Sequence, residues 1–510
     1  MDKILILDLG GQANQQIARR VRECHVYCEI VPAGKSTLEF VRRFDPIGII
    51  VSGGSGSISE GGAPALPQGL FDLGIPVLGI GWGCQLMAQE LGGQLQRNSC
   101  PCAGNRTLTN LDREDLLFAD LPAEECITWL CGGDHVVELP AGFRATAHTS
   151  ACPVAAMSCP QRKLYGIQFR PELPHTEGGL RMIRSFLREI CGAACDWKME
   201  DRVPIAVEQI RRKVGNRPVL LALSGGVDSS VAAVLLNRAV GNQLTSIFVD
   251  HGMLRKDEAD QVEQFFSRMD MRFIRVNARD RFLARLEGVT DPEQKRTIIG
   301  EEFVRVFEEE AKRLGEIDFL AQGTIYPDVM ESGLGYADVI RSHRMGDLPD
   351  HIQFKELLEP LCMLFKEEVR ELGRAMGLPE YLVSRQPFPG PGLAIRIIGQ
   401  ITPEKIALLQ EADLIFRENL EQAHLNKLLG QYFAVLTDTQ TINTMASHRD
   451  REYTLALRAV TTDDFMTAKW ARLPYELLDR ISEQILRQVP GINRVVYDIT
   501  SKPPASIEWE

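Results

Sequence analysis

A short polar loop between two apolar segments constrains the fold of this 510-residue chain more than any other feature. The run VLLAL precedes the loop SGGVDSS at Ser224–Ser230, and VAAVLLNRAV follows it. An apolar strand that turns through glycines into an apolar helix is typical of a parallel α/β sheet. The glycines let the backbone approach a phosphate, and a helix N-terminus attracts anions. The sequence therefore predicts a phosphate-binding loop; a plain glycine turn is the alternative.

Asp228 is the unusual residue of this loop, because its carboxylate would repel a bare phosphate. We expect it either to orient the loop or to hold Mg²⁺. The loop lacks the Gly-Lys-Ser/Thr ending of a Walker A sequence. It resembles instead the SGGxDS pyrophosphatase loop of enzymes that split ATP into AMP and pyrophosphate. By itself it leaves several families open, among them asparagine, NAD and argininosuccinate synthetases and tRNA-thiolating enzymes.

The chain changes character twice along its length. The runs ILILDLGG, GIIVSGGSGS and PVLGIGWGCQLMAQELGG repeat the strand–glycine–helix pattern, which predicts an α/β domain up to about Cys195. From about Pro387 the segment QPFPGPGLAIRIIG is too rich in proline and glycine for a continuous helix. The β-rich runs YFAVLT, REYTLALRAVT and NRVVYDIT then predict a smaller α+β domain that ends at Glu510. A chain of this length exceeds one hydrophobic core, so three domains are expected.

Charge and hydropathy narrow the class of protein. The net charge of −12 argues against a nucleic-acid partner, because phosphate backbones favour a basic surface. No apolar run approaches the roughly 18–20 residues that span a bilayer. The N-terminus MDKILILDLGG has no signal-peptide pattern. We therefore expect a cytoplasmic protein that acts on a small molecule, with no membrane partner.

The cysteines are concentrated in the first part of the chain, where eleven of the twelve lie before residue 200. Close pairs such as Cys24/Cys28 and Cys191/Cys195 do not form the usual paired CxxC pattern of a metal site. Reduced, mostly buried thiols are the expectation, and a structural metal is the alternative.

Five further segments resemble the GMP synthase family. They are FVDHGMLRKDEADQV, GVTDPEQKRTIIGEEF, LAQGTIYPDVMESG, PFPGPGLAIRIIG and NRVVYDITSKPPASIEWE. The resemblance covers essentially the whole chain, in the order of the bacterial three-domain form. It implies an α/β class I glutamine amidotransferase domain at 1–196, an α/β ATP pyrophosphatase domain (adenine nucleotide alpha hydrolase-like) at 197–395, and a C-terminal α+β dimerisation domain at 396–510. A homodimer is implied as well.

The resemblance also implies a reaction and the residues that carry it. In the family, ATP adenylylates the C2 oxygen of xanthosine monophosphate (XMP), and ammonia then displaces AMP to give GMP. Asp228 and Glu331 are the implied catalytic residues, with Asp228 as the Mg²⁺ ligand. The implied XMP ligands are Arg396, Arg458 and Lys502. The implied ATP-binding residues are Ser224, Gly225, Gly226, Val227, Asp228, Ser229, Ser230 and Asp328.

The first domain departs from the family pattern at its chemical positions. The family writes its cysteine elbow as GxCxGxQ, whereas this chain reads GIGWGCQ, with Gly81 at the nucleophile position. The family's FHPE motif reads FRPE, so Arg170 replaces the histidine base and only Glu172 remains. Arginine stays protonated in proteins and cannot act as a general base. We therefore expect an inactive glutaminase and ammonia that is either free or supplied by a separate glutaminase partner.

Further departures leave alternatives open. The family's SHGD segment reads CGGD at Cys131–Asp134, and Ser55 stands where a proline is usual. Cys84 lies three residues beyond the elbow, inside the next helix, so its thiol should point away from the turn. The lid at Ser342–Pro349 and the stretch Ala446–Tyr453 also differ from the family. A different purine nucleotide acceptor and a nucleotide-binding regulatory pseudoenzyme are therefore kept as alternatives.

Overall fold

In a computed structural model of the chain, the structure describes residues 1–11, 13–54, 57–58, 64–97, 104–121, 126–130, 133–173, 175–331, 354–443, 451–462, 465 and 467–510. The departures at Ser55, at 131–132, at 342–349 and at 446–450 lie outside the described residues. The chain forms two compact units, Met1–Asp201 and Arg202–Glu510. The three-domain division at 1–196, 197–395 and 396–510 stays a prediction.

The first unit is an α/β domain, as its repeated strand–glycine–helix pattern predicts. Its strands are β1 (Lys3–Asp8), β2 (Tyr27–Pro32), β3 (Gly48–Ser52), β4 (Val77–Ile80), β5 (Gln94–Arg97), β6 (Gly104–Leu108), β7 (Cys126–Leu130), β8 (Asp134–Glu138), β9 (Arg144–Thr149), β10 (Cys152–Cys159) and β11 (Leu164–Ile167). Its helices are α1 (Ala13–Glu23), α2 (Leu38–Phe44), α3 (Trp82–Glu90) and α4 (Gly179–Ser185), the last continued by a π-helical segment, Phe186–Ile190.

Within the described residues, the main sheet of this unit has the order β2-β1-β3-β4-β11-β10-β9. The first five strands in this order run parallel to one another. Strand β10 is antiparallel to both of its neighbours, β11 and β9. The strands β1, β3 and β4 are almost entirely buried apolar residues, which is the composition of parallel strands covered on both faces. Because these strands are parallel, the turns that follow them lie together at the carboxyl end of the sheet.

Helix α5 (Met199–Val214) contains the boundary between the two units and leads into a second parallel sheet. The strands are β12 (Val219–Leu223), β13 (Leu244–Asp250), β14 (Arg272–Asn277), β15 (Phe319–Ala321) and β16 (Glu356–Leu358), in the order β14-β13-β12-β15-β16. The helices are α6 (Val227–Val240), α7 (Glu258–Phe266), α8 (Arg279–Leu286), α9 (Pro292–Leu314), α10 (Tyr326–Glu331), α11 (Lys366–Ala375) and α12 (Glu380–Val383). Strand β12 pairs with β13 on one side and β15 on the other, so the loop that follows it opens at the middle of the sheet.

The remaining part of the second unit is α+β, as predicted. It contains α13 (Pro403–Gln422), β17 (Gln431–Ile442), β18 (Arg451–Thr461), β19 (Lys469–Trp470), α14 (Tyr475–Gln488) and β20 (Ile492–Tyr497). Strand β18 pairs with β17 and β19 antiparallel and with β20 parallel. One buried cluster joins both parts of the unit, because it contains Phe282 of α8 and Phe416 of α13. No described helix combines the length and the apolarity that a bilayer crossing requires.

Candidate active site

The predicted phosphate loop connects the carboxyl end of β12 to the start of α6. Gly225 has a φ of +80°, which L side chains rarely adopt, so glycine is required there. The first N–H groups of a helix have no intrahelical partners, and together with the helix dipole they favour an anion. In open α/β sheets, ligands bind at the carboxyl ends of the strands. The loop is therefore built and located as a phosphate site would be.

Hydroxyl groups hold the loop in shape. The Oγ atoms of Ser224 and Ser229 lie 2.9 Å apart, and Ser229 Oγ donates to the Gly226 carbonyl at 3.2 Å. The Gly226 N–H donates to Ser224 Oγ at 3.3 Å. Ser230 is fully buried, and its Oγ has no hydrogen-bond partner within the described part of the chain. Val227 begins α6. Contact of these groups with ATP stays a prediction.

Asp228 forms an ion pair that the sequence did not reveal. The Nζ atom of Lys366, the first residue of α11, lies 2.6 Å from Asp228 Oδ2. The other oxygen, Oδ1, is buried and finds no partner among the described residues. The lysine lies in the segment LFKEEVR, far along the chain from the loop, and no signal near the loop points to it. The loop thus has an acidic and a basic side chain together.

The segment after β15 lies close to the phosphate loop. A Cβ atom on Gly323 would lie 2.9 Å from the Ser229 nitrogen, so only glycine permits this approach. In the first turn of α10, Asp328 Oδ2 accepts a hydrogen bond from the Ile325 N–H at 2.9 Å. Glu331 ends α10, and its side chain lies outside the described part. Asp328 therefore supports the start of its own helix, and the roles of both acids at ATP stay predictions.

Two buried titratable residues lie at the end of the neighbouring strand β13: Asp250 is its last residue and His251 follows it. Asp250 Oδ2 pairs with Arg275 at 2.7 Å, and Asp250 Oδ1 accepts the Gly252 N–H at 3.0 Å. The Nδ1 atom of His251 accepts the Met253 N–H at 3.0 Å. Burial lowers the pKa of His251 to about 4, so this imidazole is neutral at physiological pH. Both side chains serve to fix the turn beside the loop.

Two of the three predicted XMP ligands are fully buried arginines. Arg396 pairs with both oxygens of Glu508, at 3.0 Å and 2.7 Å, and lies over the ring of Phe433. Arg458 donates to the carbonyls of Thr500, Ser506 and Ile507 and pairs with Asp498 at 2.9 Å; these partners are all in the C-terminal tail.

Lys502, the third predicted XMP ligand, is partly exposed, and its Nζ donates to the Phe465 carbonyl at 2.7 Å. The structure thus brings Arg458 and Lys502 to one tail segment, while Arg396 reaches that tail through Glu508. Phosphate binding by the three residues stays a prediction.

In the first unit, Gly81 occupies the turn between β4 and α3 and has φ 57° and ψ −112°. A sharp, strained strand-to-helix turn of this kind is how nucleophile elbows expose their reactive side chain. The Gly81 N–H donates to the Ile167 carbonyl at 2.9 Å, which ties the turn to β11. A Cβ atom on Gly83 would lie 1.9 Å from the Val51 carbonyl oxygen, so the helix packs directly against β3. The elbow backbone is present, and its central residue has no side chain.

Arg170 and Glu172 form an ion pair with each other. Arg170 Nε lies 2.5 Å from Glu172 Oε1, and the Glu172 side chain is fully buried. Burial raises the pKa of Glu172, and the positive charge of Arg170 opposes that shift. Glu172 Oε2 is without a hydrogen-bond partner in the described ranges. The acid that would orient a histidine is therefore paired with a permanently charged guanidinium.

Cys84 is fully buried on the inner side of α3. A Cβ atom on Gly166 would lie 2.7 Å from Cys84 Sγ, so the thiol lies against β11. Burial raises the pKa of this thiol well above its usual range, which suppresses the thiolate. The thiol thus packs between α3 and the sheet, and its orientation away from the turn stays a prediction.

The other cysteines give no metal site within the described ranges, where no cluster of three ligating side chains occurs. Nine cysteines in that part of the chain form no disulfide bond, and most of them are buried.

Comparison with protein-family models divides the chain into three matches. A model described as glutamine amidotransferase class-I matches residues 5–190. A model described as NAD synthase matches residues 201–305. A model described as GMP synthase C terminal domain matches residues 418–509. The three matches confirm the predicted fold class.

Curated relatives match the chain over its whole length. A protein from Treponema denticola named GMP synthase (glutamine-hydrolyzing) is 56% identical over 510 residues, which is 100% of this chain and 97% of that protein. A protein of the same name from Acetivibrio thermocellus is 54% identical over 509 residues, covering 99% of each chain. Both names specify glutamine hydrolysis, for which this chain has Gly81 and Arg170 at the predicted nucleophile and base positions.

Proposed function

The chain belongs to the GMP synthase family of ligases, and from this premise we propose that its second unit makes GMP from XMP, ATP and ammonia while its first unit does not hydrolyse glutamine. The observation that carries the proposal is the elbow at Gly81. Its backbone has the strand-to-helix geometry of a nucleophile turn, and Arg170, at the predicted base position, is paired with Glu172.

Glutamine hydrolysis fails in this proposal for a chemical reason. The reaction needs a thiolate at the turn and a base that accepts and returns its proton. Gly81 supplies no nucleophile, and Arg170 cannot accept a proton at any physiological pH. Cys84 is no substitute, because burial keeps its thiol protonated and its sulfur lies against β11. Ammonia would therefore reach the second unit as the free molecule or from a separate glutaminase.

The synthase chemistry rests on the phosphate loop. ATP would be held with its phosphates at the start of α6, where N–H groups and serine hydroxyls converge. Adenylylation of the C2 oxygen of XMP converts a poor leaving group into AMP, which ammonia can displace. Lys366 would supply positive charge beside the phosphates, since its ammonium lies 2.6 Å from Asp228. Catalysis here is positioning and charge stabilisation by fixed groups.

Mg²⁺ fits this loop. Asp228 has one carboxylate oxygen paired with Lys366 and one buried oxygen that lacks a partner among the described residues. Mg²⁺ usually keeps several waters and binds one or two carboxylates together with substrate phosphates. Asp228 would therefore hold the ion, and the bound ion would neutralise charge on the departing pyrophosphate.

The acceptor end of the proposal rests on the C-terminal tail. Lys502 would bind the 5′-phosphate of XMP, because it is the partly exposed member of the predicted set. Arg458 would hold the tail by its bonds to Thr500 and Ser506. Arg396 would contribute to the base pocket only if XMP shared or replaced its contact with Glu508.

A homodimer through the C-terminal domain is part of the same proposal. Apolar side chains are exposed on α14 and β20, with Tyr475 86% and Val496 41% exposed, and Ile499 adds to this surface. Such a patch is compatible with an interface between two copies. Light scattering on the purified chain would test it: a mass near twice that of the 57.0 kDa chain supports the dimer, and a single-chain mass contradicts it.

Exchange of labelled pyrophosphate into ATP tests the synthase proposal. We expect exchange that requires Mg²⁺ and XMP, because adenylylation is reversible before ammonia arrives. If exchange requires a different purine nucleotide, that nucleotide and not XMP is the acceptor. No exchange with any purine nucleotide would contradict catalysis by the second unit and favour a regulatory, nucleotide-binding role.

A further inference from the structure

Arg385 connects the phosphate loop to the proline-rich segment that follows α12. Its Nη1 atom donates to the Gly225 carbonyl at 2.8 Å and to Glu258 Oε1 at 2.8 Å. The side chain is only 10% exposed, and that of Glu258 only 7%. A further arginine, Arg370, donates to the Arg385 carbonyl at 3.3 Å. One nitrogen of the guanidinium thus contacts both the loop and Glu258, and Arg370 holds the backbone of Arg385.

The contact with Gly225 fixes the direction of a peptide plane. In a planar trans peptide, the C=O and the N–H of the same unit point in opposite directions. Holding the Gly225 carbonyl toward Arg385 therefore aims the Gly226 N–H away from it, toward the interior of the loop, where it now meets Ser224 Oγ. Glycine with positive φ has little steric restraint of its own, so this peptide is fixed by its contacts, with Arg385 at the carbonyl and with Ser224 at the N–H.

Glu258 relays the position of Arg385 to another segment. Its second oxygen accepts the Arg255 N–H at 3.2 Å. Arg255 is buried, and its guanidinium lies 4.2 Å from the centre of the Phe388 ring. Phe388 belongs to the segment PFPGPG, which the resemblance to the GMP synthase family implies to help shape the purine base pocket. The phosphate loop and this segment are therefore joined through Arg385, Glu258 and Arg255, by an ion pair, a backbone hydrogen bond and the contact of a guanidinium with an aromatic ring.

Gln386, the next residue, anchors the same segment to β17. Its Nε2 donates to the Tyr432 carbonyl at 2.7 Å, and its Oε1 accepts the Tyr432 N–H at 2.8 Å. Gln431 donates to the Pro387 carbonyl at 3.2 Å. Arg385 is therefore fixed relative to β17 on one side and the phosphate loop on the other.

We propose that Arg385 is a positioning residue that holds the Gly225–Gly226 peptide in the ATP-binding orientation and couples the phosphate loop to the acceptor-nucleotide segment. The inference rests on the proposed function, since it assigns ATP to this loop. Arg385 is not proposed to contact the reacting atoms of ATP or XMP. It acts through Gly225 and Glu258.

Replacement of Arg385 by methionine tests the proposal. We expect the kcat of XMP-dependent pyrophosphate exchange to fall by about 30–100-fold, since a small misplacement of reacting groups costs about 10²-fold. The KM for ATP should rise by about tenfold, because the loop binds ATP directly, while the KM for XMP should change less. The matched control is R374M, which removes an arginine of the neighbouring helix that pairs with exposed Glu380 at 3.0 Å. Its kinetic constants should stay within about twofold of the parent, as is usual for surface pairs.

Two further variants separate positioning from folding. R385K should recover only part of the rate, because one ammonium cannot reproduce the planar guanidinium geometry. For R385A, guanidinium chloride at low millimolar concentration should raise kcat several-fold above its value without guanidinium, and the melting temperature should not change. A rate for R385M within threefold of R374M would overturn the proposal. So would a loss of rate in R385A that guanidinium leaves unchanged.

A direct measurement of ATP binding separates the role of Arg385 in the phosphate loop from the overall reaction with XMP. Titration calorimetry with Mg-ATP on R385M and R374M measures the loop without requiring turnover. We expect about tenfold weaker binding by R385M. If R385M and R374M bind Mg-ATP equally well, the role of Arg385 is overturned, even if the parent makes GMP. If the parent shows no XMP-dependent exchange but R385M still binds Mg-ATP about tenfold more weakly than R374M, only the proposed reaction is contradicted.

Discussion

In both units a glycine with positive φ joins a buried strand to a helix: Gly81 with φ 57° after β4, and Gly225 with φ 80° after β12. Close backbone packing maintains each turn. Gly83 allows α3 to approach Val51 in the first unit, and Gly323 allows the neighbouring segment to approach the loop in the second. Neither contact involves a reactive side chain, so the backbone of such a turn does not depend on the reactive residues it carries.

The two turns differ in the side chains that surround them. At Ser224–Ser230 the hydroxyls, the carboxylate of Asp228 and the ammonium of Lys366 are together. At Gly81 the nucleophile position has no side chain, and Arg170 neutralises Glu172. The difference teaches that a family fold supports a function only where the particular reactive residues remain.

The largest effect is expected from D228N, in the turn that is proposed to bind ATP. The asparagine keeps the size of the side chain but loses the charge that pairs with Lys366 and would hold Mg²⁺. We expect GMP formation to fall by about 10²–10³-fold, in the range of other losses of fixed charge from active sites. Steady-state assays with ammonium chloride measure it.

The control for D228N is D72N, which removes a 75% exposed aspartate that pairs with Arg162 at 2.8 Å in the first unit. Its rate should match the parent. A D228N rate within threefold of the parent would contradict the proposed difference between the two turns.

The next effect is a gain of function in the other turn. The double variant G81C/R170H returns a thiol to the strained elbow and a histidine beside Glu172. Because the elbow backbone is retained, we expect glutaminase activity at least about tenfold above the parent, measured as glutamate release. G81A/R170H is the matched control, since it lacks the thiol.

A double variant that folds but releases no glutamate would contradict the view that the two turns differ only in their side chains. It would mean that the first unit has also lost its substrate pocket, so that the two turns differ in more than their side chains.

A smaller effect concerns the ion pair of the first unit. R170M leaves the carboxylate of Glu172 buried without its partner. We expect a loss of about 1–2 kcal/mol in unfolding free energy at pH 8, below the usual figure for a fully buried pair because Arg170 is 30% exposed. Urea unfolding of the full chain at several pH values measures it.

The pH dependence of that loss has a definite sign. The folded-state pKa of Glu172 is raised by burial, so ionisation opposes folding as pH rises above about 4.5, the unfolded value. R170M raises the folded pKa further, and the loss of stability should therefore appear as pH rises and vanish below pH 4.5. R170M/E172Q should show no such pH dependence. If R170M has the same unfolding free energy as the parent at pH 8, the Arg170–Glu172 ion pair does not stabilise the first unit.

The smallest effect is expected from C84A. Its thiol is buried and its raised pKa suppresses the thiolate, so the substitution should leave ammonia-dependent GMP formation within about twofold of the parent. In the native parent at pH 8, mass spectrometry should find Cys84 unmodified by iodoacetamide. Rapid modification there would contradict the burial of the thiol and reopen its role in the first unit.

Sequence reasoning predicted the elements better than the side-chain contacts. The runs that became β12, β17, β18 and β20 were identifiable because strands rich in apolar and β-branched residues have a strong local pattern, and a proline or glycine precedes β12, β17 and β20. Gly81 and Arg170 were identifiable because they replace particular residues of a motif.

The contacts that could not be predicted join distant segments. Lys366 and Asp228 are 138 residues apart, and Arg385 and Gly225 are 160 apart. Arg396 was expected at a ligand, and nothing in its local sequence indicated that its guanidinium would pair with Glu508 in the tail. A buried arginine and an exposed one look alike in sequence, because burial depends on the tertiary partners.

The nitrogen donor is the most direct test of the central difference between the units. Purified chain with ATP, Mg²⁺ and XMP is supplied either with glutamine or with ammonium chloride, and GMP is followed by chromatography. We predict GMP with ammonium chloride and none above background with glutamine. GMP formed from glutamine at a rate comparable to that from ammonium would contradict the account, because it would require a nucleophile that Gly81 cannot supply.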